Sequence, residues 1–406
     1  MSADAAVLVL SGPRLADGRT VDVRLGADRI EAVGTPGSLT PSQRDPQDAA
    51  ARIDLRGYLL LPAPAEPHAH HDSALTAATG QGPPAGGLTA LRRRMTEAAL
   101  LQLGHGATAQ RSHIRIGDIA ALTALEAALQ TQRALRGLAE LTVVAVPRLL
   151  TGRAGAEDRA LLHDAAKMGA TALGGIPDLD PDPAGYLDIL LETAAEHGCA
   201  LDLHTAGEDP ARLARLAAAA GGLRPGVTIG PCTGLSRLPA DTAARTAERL
   251  AAAGVSVTCL PQGHCGLLDR PRRTAGGTPV RLLRSAGVRV AAGSGALRDS
   301  ANPVGRGDPL EAAYLLASHG EAGPVDAYHT VSAGARRAMG LPVVRIEAGF
   351  PAELLAVRGD SLDGALALGY SRIVIHQGRV VARTSAVREY CGSAPGSPEL
   401  PRQATG

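Results

Sequence analysis

At 406 residues the chain is long enough for one large barrel domain or about two to three smaller ones. A hydrophobic content of 45% with 20% charged residues describes a soluble globular protein. The net charge of +1 supplies no basic field for nucleic acid or an anionic membrane, and with no Trp and one Phe there is almost nothing for bases to stack on. Lys167 is the only lysine, a bias toward arginine that coding preference explains. The cysteines, Cys199, Cys232, Cys259, Cys265 and Cys391, are odd in number and form no C-x-x-C pair. They read as reduced thiols of a cytoplasmic protein. The start, Met1-Ser2-Ala3-Asp4, has no basic signal region, and no window approaches ~18 uninterrupted apolar residues, so no membrane span is expected.

Residues 6 to 62 read as short strands: Val7–Leu10, Thr20–Leu25 and Arg29–Val33 alternate or run apolar, with Gly26-Ala27-Asp28 as a hairpin turn. The Pro- and Ser-bearing stretch from Thr35 to Ala51 reads as a loop. From Leu59 a strand–helix alternation begins. Strands are expected at Leu59–Pro64, Ala107–Ile114, Leu141–Pro147, Ala172–Pro177, Ala200–His204, Val227–Pro231, Ser256–Pro261 and Val288–Gly293. Helix-like stretches separate them, several ending on a glycine (Gly104, Gly169, Gly198, Gly254, Gly287) suited to a left-handed cap, and Pro309–Ser318 follows the last strand. Eight such units predict an α/β fold of the (β/α)8 TIM barrel class. Strand character returns at Leu354–Val357, Ile373–Ile375 and Val380–Ala382. The expected layout is a small β-sandwich domain built from residues 1–62 and 341–390, a barrel over 63–340, and a disordered Pro/Ser/Gly-rich tail over 391–406.

The segment Glu66-Pro67-His68-Ala69-His70-His71-Asp72 stands at the entrance of the barrel pattern. Residues two apart on a strand share a face, so His68 and His70 can aim both imidazoles at one point, as a metal clamp requires. Histidines in a polar surface turn are the plainer reading of the same stretch. In barrels of this class the working residues lie at the C-terminal strand ends. Those ends collect His68, His70, Arg111, His113, Arg148, Asp178, His204, Cys232, Gln262, His264 and Asp299.

With Arg111-Ser112-His113, Gly174-Gly175-Ile176-Pro177, His204-Thr205 and the run Arg298-Asp299-Ser300-Ala301-Asn302-Pro303-Val304-Gly305-Arg306-Gly307-Asp308-Pro309, the chain resembles the amidohydrolase superfamily and its cytosine deaminase-like branch over residues 6 to 385. The resemblance implies one zinc or iron held by His68, His70 and His204. It also implies a fourth, aspartate ligand on strand 8, a glutamate three residues after the strand-5 histidine, and a strand-6 histidine. Gly295, Gly207 and Pro231 stand at those three positions, with Glu208 one step late. Arg148 replaces a substrate-gripping glutamine, Arg115 an aspartate and Ser73 a lysine.

The expectation is therefore a C–N-cleaving amidohydrolase for a small, anionic nitrogen heterocycle or cyclic amide, with a degenerate, weakly occupied or metal-free site. His204, His264 and Glu208 would supply acid–base catalysis, with Asp72 a further candidate. Arg148, His113, Gln262 and Asp299 would contact the substrate. Arg115 fits either the pocket or an ion-paired loop, and Cys232 and Cys265 read as packed small residues. Two alternatives remain: a pseudoenzyme that binds a ligand or serves as a subunit, and a conventional zinc or iron deaminase. The partner is a small molecule; self-association into a homo-oligomer stays open.

Overall fold

The structure is a computed structural model and describes residues 7–39, 51–78, 87–117, 121–263 and 277–387. It opens with five strands, β1 (Leu8–Arg14), β2 (Thr20–Gly26), β3 (Arg29–Gly34), β4 (Ala51–Asp54) and β5 (Tyr58–Pro62). The β2–β3 hairpin turns at Ala27-Asp28, where Ala27 has φ +50°.

The barrel follows: β6 (Ala65–Ala69), α1 (Gly87–Gly104), β7 (Ala109–Arg115), α2 (Ala121–Ala134), β8 (Glu140–Val146), α3 (Ala156–Met168), β9 (Ala172–Gly175) and α4 (Pro183–His197). It continues through β10 (Ala200–Thr205), α5 (Pro210–Ala220), β11 (Val227–Pro231), α6 (Ala240–Ala252), β12 (Ser256–Cys259), α7 (Val280–Ser285), β13 (Arg289–Ala292) and α8 (Pro309–Ser318). Strands β6 to β13 pair in chain order, and a parallel bridge between Ala69 and Gly295 closes the ring. This is the eight-stranded TIM-like barrel expected from the alternation. Four of the five expected helix-ending glycines are left-handed. Gly104 instead remains helical, and the left-handed turn falls at Gly106, φ +110°.

Three late strands, β14 (Leu354–Arg358), β15 (Arg372–His376) and β16 (Arg379–Thr384), join the first five in one mixed sheet. The run Leu59–Pro64, expected as the first barrel strand, lies outside the barrel. Tyr58–Pro62 pairs antiparallel with β14 in this mixed sheet, and the barrel begins at Ala65. Pro62 and Pro64 have no N–H to donate, so one ladder cannot run through both. Both strands are largely buried, so burial does not mark where one sheet hands over to the other.

Alternation along the strands positions the site. Ile114, Val143, Leu173, Leu201, Leu203, Ile229 and Val257 belong to the buried apolar cluster that includes the helix residues Leu125, Leu162, Leu190 and Leu250. The residues between them face the barrel axis, and toward the C-terminal ends these are polar: His68, Arg111, His113, Asp202 and His204, all buried. Among the described residues no helix is long and apolar enough to cross a membrane. The expected tail over 391–406 lies outside the described residues.

Candidate metal centre

His68 and His70 leave β6 on one face, His113 comes from the end of β7, and His204 from the end of β10. The β6–β7 register sets Ala69 opposite Ser112, which brings His113 alongside the β6 pair. His68 has ring centroids 5.1 Å from His70, 4.2 Å from His113 and 4.5 Å from His204. One ring nitrogen of each histidine lies within 4.8 Å of those of the other three.

The electrostatics favour neutral, lone-pair-bearing rings. Burial and then the neighbouring imidazoles hold His68, His70 and His113 well below the usual histidine range. His204 is lowered to about 4 by burial, against the pull of Asp202. Both ring nitrogens of His68, Nε2 of His113 and Nδ1 of His204 are buried without a hydrogen-bond partner among the described residues. Orphaned buried nitrogens are rare in a settled core, because each costs about 1–3 kcal/mol. Four convergent imidazoles therefore fit a divalent metal such as zinc. The expectation of a metal-poor site counted three imidazoles. His113, a residue assigned to substrate, brings a fourth imidazole into the cluster, so the site is not stripped of candidate ligands.

A polar layer lies one step deeper. Asp202 Oδ2 accepts from Arg111 at 2.9 Å, and Asp202 Oδ1 lies 3.4 Å from His113 Nε2. Glu66 accepts from the backbone N–H of His68 at 3.0 Å and from that of Ser294 at 2.9 Å, as well as from the Ser294 hydroxyl. Burial raises its carboxyl to about 7, the Ser294 and His68 bonds opposing. Gly293 permits this approach, since a Cβ there would sit 2.6 Å from Glu66 Oε1. Neither Asp202 nor Glu66 was singled out as functional from sequence. Both were legible as acids two residues before a site histidine, hence on its face of the strand.

The other expected residues disperse. Gln262 Nε2 donates to the carbonyl of Asp308 and to Glu311, at 3.0 and 2.7 Å. Asp299 is buried and accepts from Ser73 Oγ and from the N–H groups of Ala301 and Asn302. Glu208 is half-buried and ion-paired with Arg237. Asp178 accepts from Thr205 and Ala206 and pairs with Arg212. Arg115 pairs with Asp72 at 2.9 Å. Arg148, two residues beyond β8, is exposed, and its guanidinium has no partner among the described residues. Cys232 is fully buried. His264 and Cys265 lie outside the described residues.

Around the cluster, Gly207 (φ +71°) and Gly295 (φ +69°) are both left-handed, and Pro231 ends β11 beside Thr205. The expected carboxylate and proton-moving side chains are thus absent from those three positions.

The profile of the Amidohydrolase family matches residues 88–382. A pterin deaminase of Rhizobium rhizogenes is 29% identical over 393 residues, covering 88% of each chain. The crystal structure of N-isopropylammelide isopropylaminohydrolase from Burkholderia multivorans superposes with a TM-score of 0.80 at 26% identity, covering 93% of this chain and 99% of that one. That of 5-methylcytosine deaminase from Klebsiella pneumoniae gives 0.80 at 22% identity, covering 94% and 99%. The profile alone spans well over half the sequence, and with the barrel and its histidine cluster it makes this chain a member of the amidohydrolase family.

Proposed function

We propose that the protein hydrolyses an exocyclic C–N bond of a small nitrogen heterocycle, releasing ammonia or an amine. The observation that carries this reading is the buried four-histidine cluster at the C-terminal mouth of the barrel. The pterin deaminase, the 5-methylcytosine deaminase and the isopropylammelide hydrolase are named for heterocyclic compounds, which supports the substrate class. His68, His70 and His204 would hold a zinc or iron ion. When bound, such an ion supplies Lewis acidity and makes water a competent nucleophile near neutral pH.

The chain's own groups would do the rest. Glu208 is our proposed proton carrier, on the loop where Gly207 displaces the usual position, and His264 is a second. Its salt bridge to Arg237 would have to open for Glu208 to turn inward. Arg148 would orient an anionic substituent of the substrate, with Gln262 and Asp299 shaping the loops around it.

The test is amine release from a panel of aminopterins, aminopyrimidines and amino- or alkylamino-triazines, with zinc- and iron-loaded protein. Turnover of at least one class is expected, abolished by chelation and by His204→Ala. Tight ligand binding by fully loaded protein with no turnover of any class would replace this reading with a non-catalytic binding protein. Gly207 and Pro231, where proton-moving groups are expected, favour that second reading.

A further inference from the structure

We propose that His113 is itself a metal ligand, standing in for the missing strand-8 carboxylate, so that the site is a four-imidazole cage resting on the Asp202–Arg111 pair. This rests on the reading that the cluster holds a metal and adds which atoms hold it.

His113 belongs to the cage by position. Its ring centroid lies 4.2 Å from His68, 4.7 Å from His204 and 5.3 Å from His70. It is fully buried, yet no short hydrogen bond fixes it: Nδ1 is 3.4 Å from the carbonyl of Ala69, and Nε2 is 3.4 Å from Asp202 Oδ1. Nδ1–H can donate to that carbonyl, which leaves the Nε2 lone pair, buried and without a hydrogen-bond partner among the described residues, for a metal.

The neighbouring acids are committed elsewhere. Residue 295 has no side chain, and its left-handed backbone is tied by its N–H to the carbonyl of His68 at 3.1 Å. Glu66 is held by Ser294 and the His68 amide, Asp299 by Ser73 and two backbone amides, and Asp72 by Arg115. Among the described residues, Asp202 is the carboxylate beside His113, its Oδ1 3.4 Å from Nε2. It is paired with Arg111 at 2.9 Å, and the Ala69 carbonyl at His113 Nδ1 is the outer partner that would orient a ligating imidazole.

Exchanging an aspartate for a histidine has a chemical consequence. Four imidazoles carry no charge, and Arg111 cancels Asp202, so a divalent ion keeps its full charge. Such a nitrogen cage selects zinc, cobalt, nickel and copper and discriminates against magnesium, calcium and manganese, which want oxygen.

The experiment uses the full chain, stripped by chelation and reloaded with zinc. X-ray absorption should count four imidazoles in the wild type and three in His113→Ala. Competition with a chromophoric chelator should show zinc binding to His113→Ala weakened by at least the ~10–100-fold that losing an outer partner costs. Equal zinc affinity in the two proteins would overturn the proposal. If His113→Ala does not fold, the wild-type count decides: four imidazoles support the cage, and three with an oxygen donor refute it. Wild type that binds no zinc would sink the metal reading as a whole. Neither readout depends on turnover, so a cage without activity would leave this inference standing and the proposed reaction fallen.

Discussion

Arg148 differs from the arginines around it. Arg111 is buried against Asp202 and Arg115 is paired with Asp72, whereas the Arg148 guanidinium has no partner among the described residues. Its backbone is anchored two residues beyond β8, since its N–H donates to Asp158 at 3.0 Å. A guanidinium is a planar fork for carboxylate or phosphate. If it orients an anionic substrate, one charge-assisted bond contributes ~1.5–3 kcal/mol. Arg148→Gln should then weaken binding of an anionic heterocycle by roughly tenfold to a hundredfold, while a neutral analogue loses little. Arg148→Lys should recover only part, because a point charge cannot copy the fork. Equal losses for both ligands, read by calorimetry, would make the residue structural.

At the scale of elements, the loop after β13 puts a glycine where the resemblance implies an aspartate, and the backbone there suits a glycine. Gly295 is left-handed and bridges Ala69, closing the barrel beside His68. Restoring the family's aspartate therefore does not restore its site. An L-residue there costs about 1–2 kcal/mol in backbone strain. Gly295→Asp should lower stability in urea by that amount and leave zinc affinity unchanged, the cage being complete without it. Tighter zinc with undiminished stability would show that the strand end can adapt and that a carboxylate still belongs there. The residues at 207, 231 and 295 were readable in the sequence because each lies at a fixed offset from a motif. That His113 fills the gap was not readable. It depends on β7 lying beside β6 in register, a lateral contact that no spacing along one strand encodes. That Leu59–Pro62 joins the mixed sheet while the barrel begins at Ala65 was hidden for a related reason: periodicity does not say which sheet a run buried on both faces joins.

Across the whole molecule, the mixed sheet and the barrel are joined by a buried ion pair that composition could not reveal. Arg372 on β15 donates to both oxygens of Asp308 at 2.8 and 2.7 Å, and to the carbonyl of His105 at 2.7 Å. Asp308 also caps α8 through the N–H of Leu310, and its carbonyl takes the Gln262 amide. One carboxylate thus ties the late sheet to the loop that follows the site. Burial pushes its carboxyl up, but the Arg372 hydrogen bonds and charge prevail and hold it below its ordinary 3.8. Because the folded value lies under the unfolded one, the unfolded chain binds the proton first. The pair's contribution is complete above pH 3.8 and is lost as pH falls through the depressed value. Arg372→Met leaves a buried charge alone and should cost about 3–5 kcal/mol at pH 7. That deficit should narrow in acid, once Asp308 is protonated in both proteins. The double variant Arg372→Met, Asp308→Asn should be less destabilised than the two single losses added together, since neither partner is then stranded. Urea unfolding from pH 7 to pH 3 measures all three. A deficit under about 1 kcal/mol at pH 7, the range of an exposed pair, would show that packing rather than this ion pair joins the sheet to the barrel.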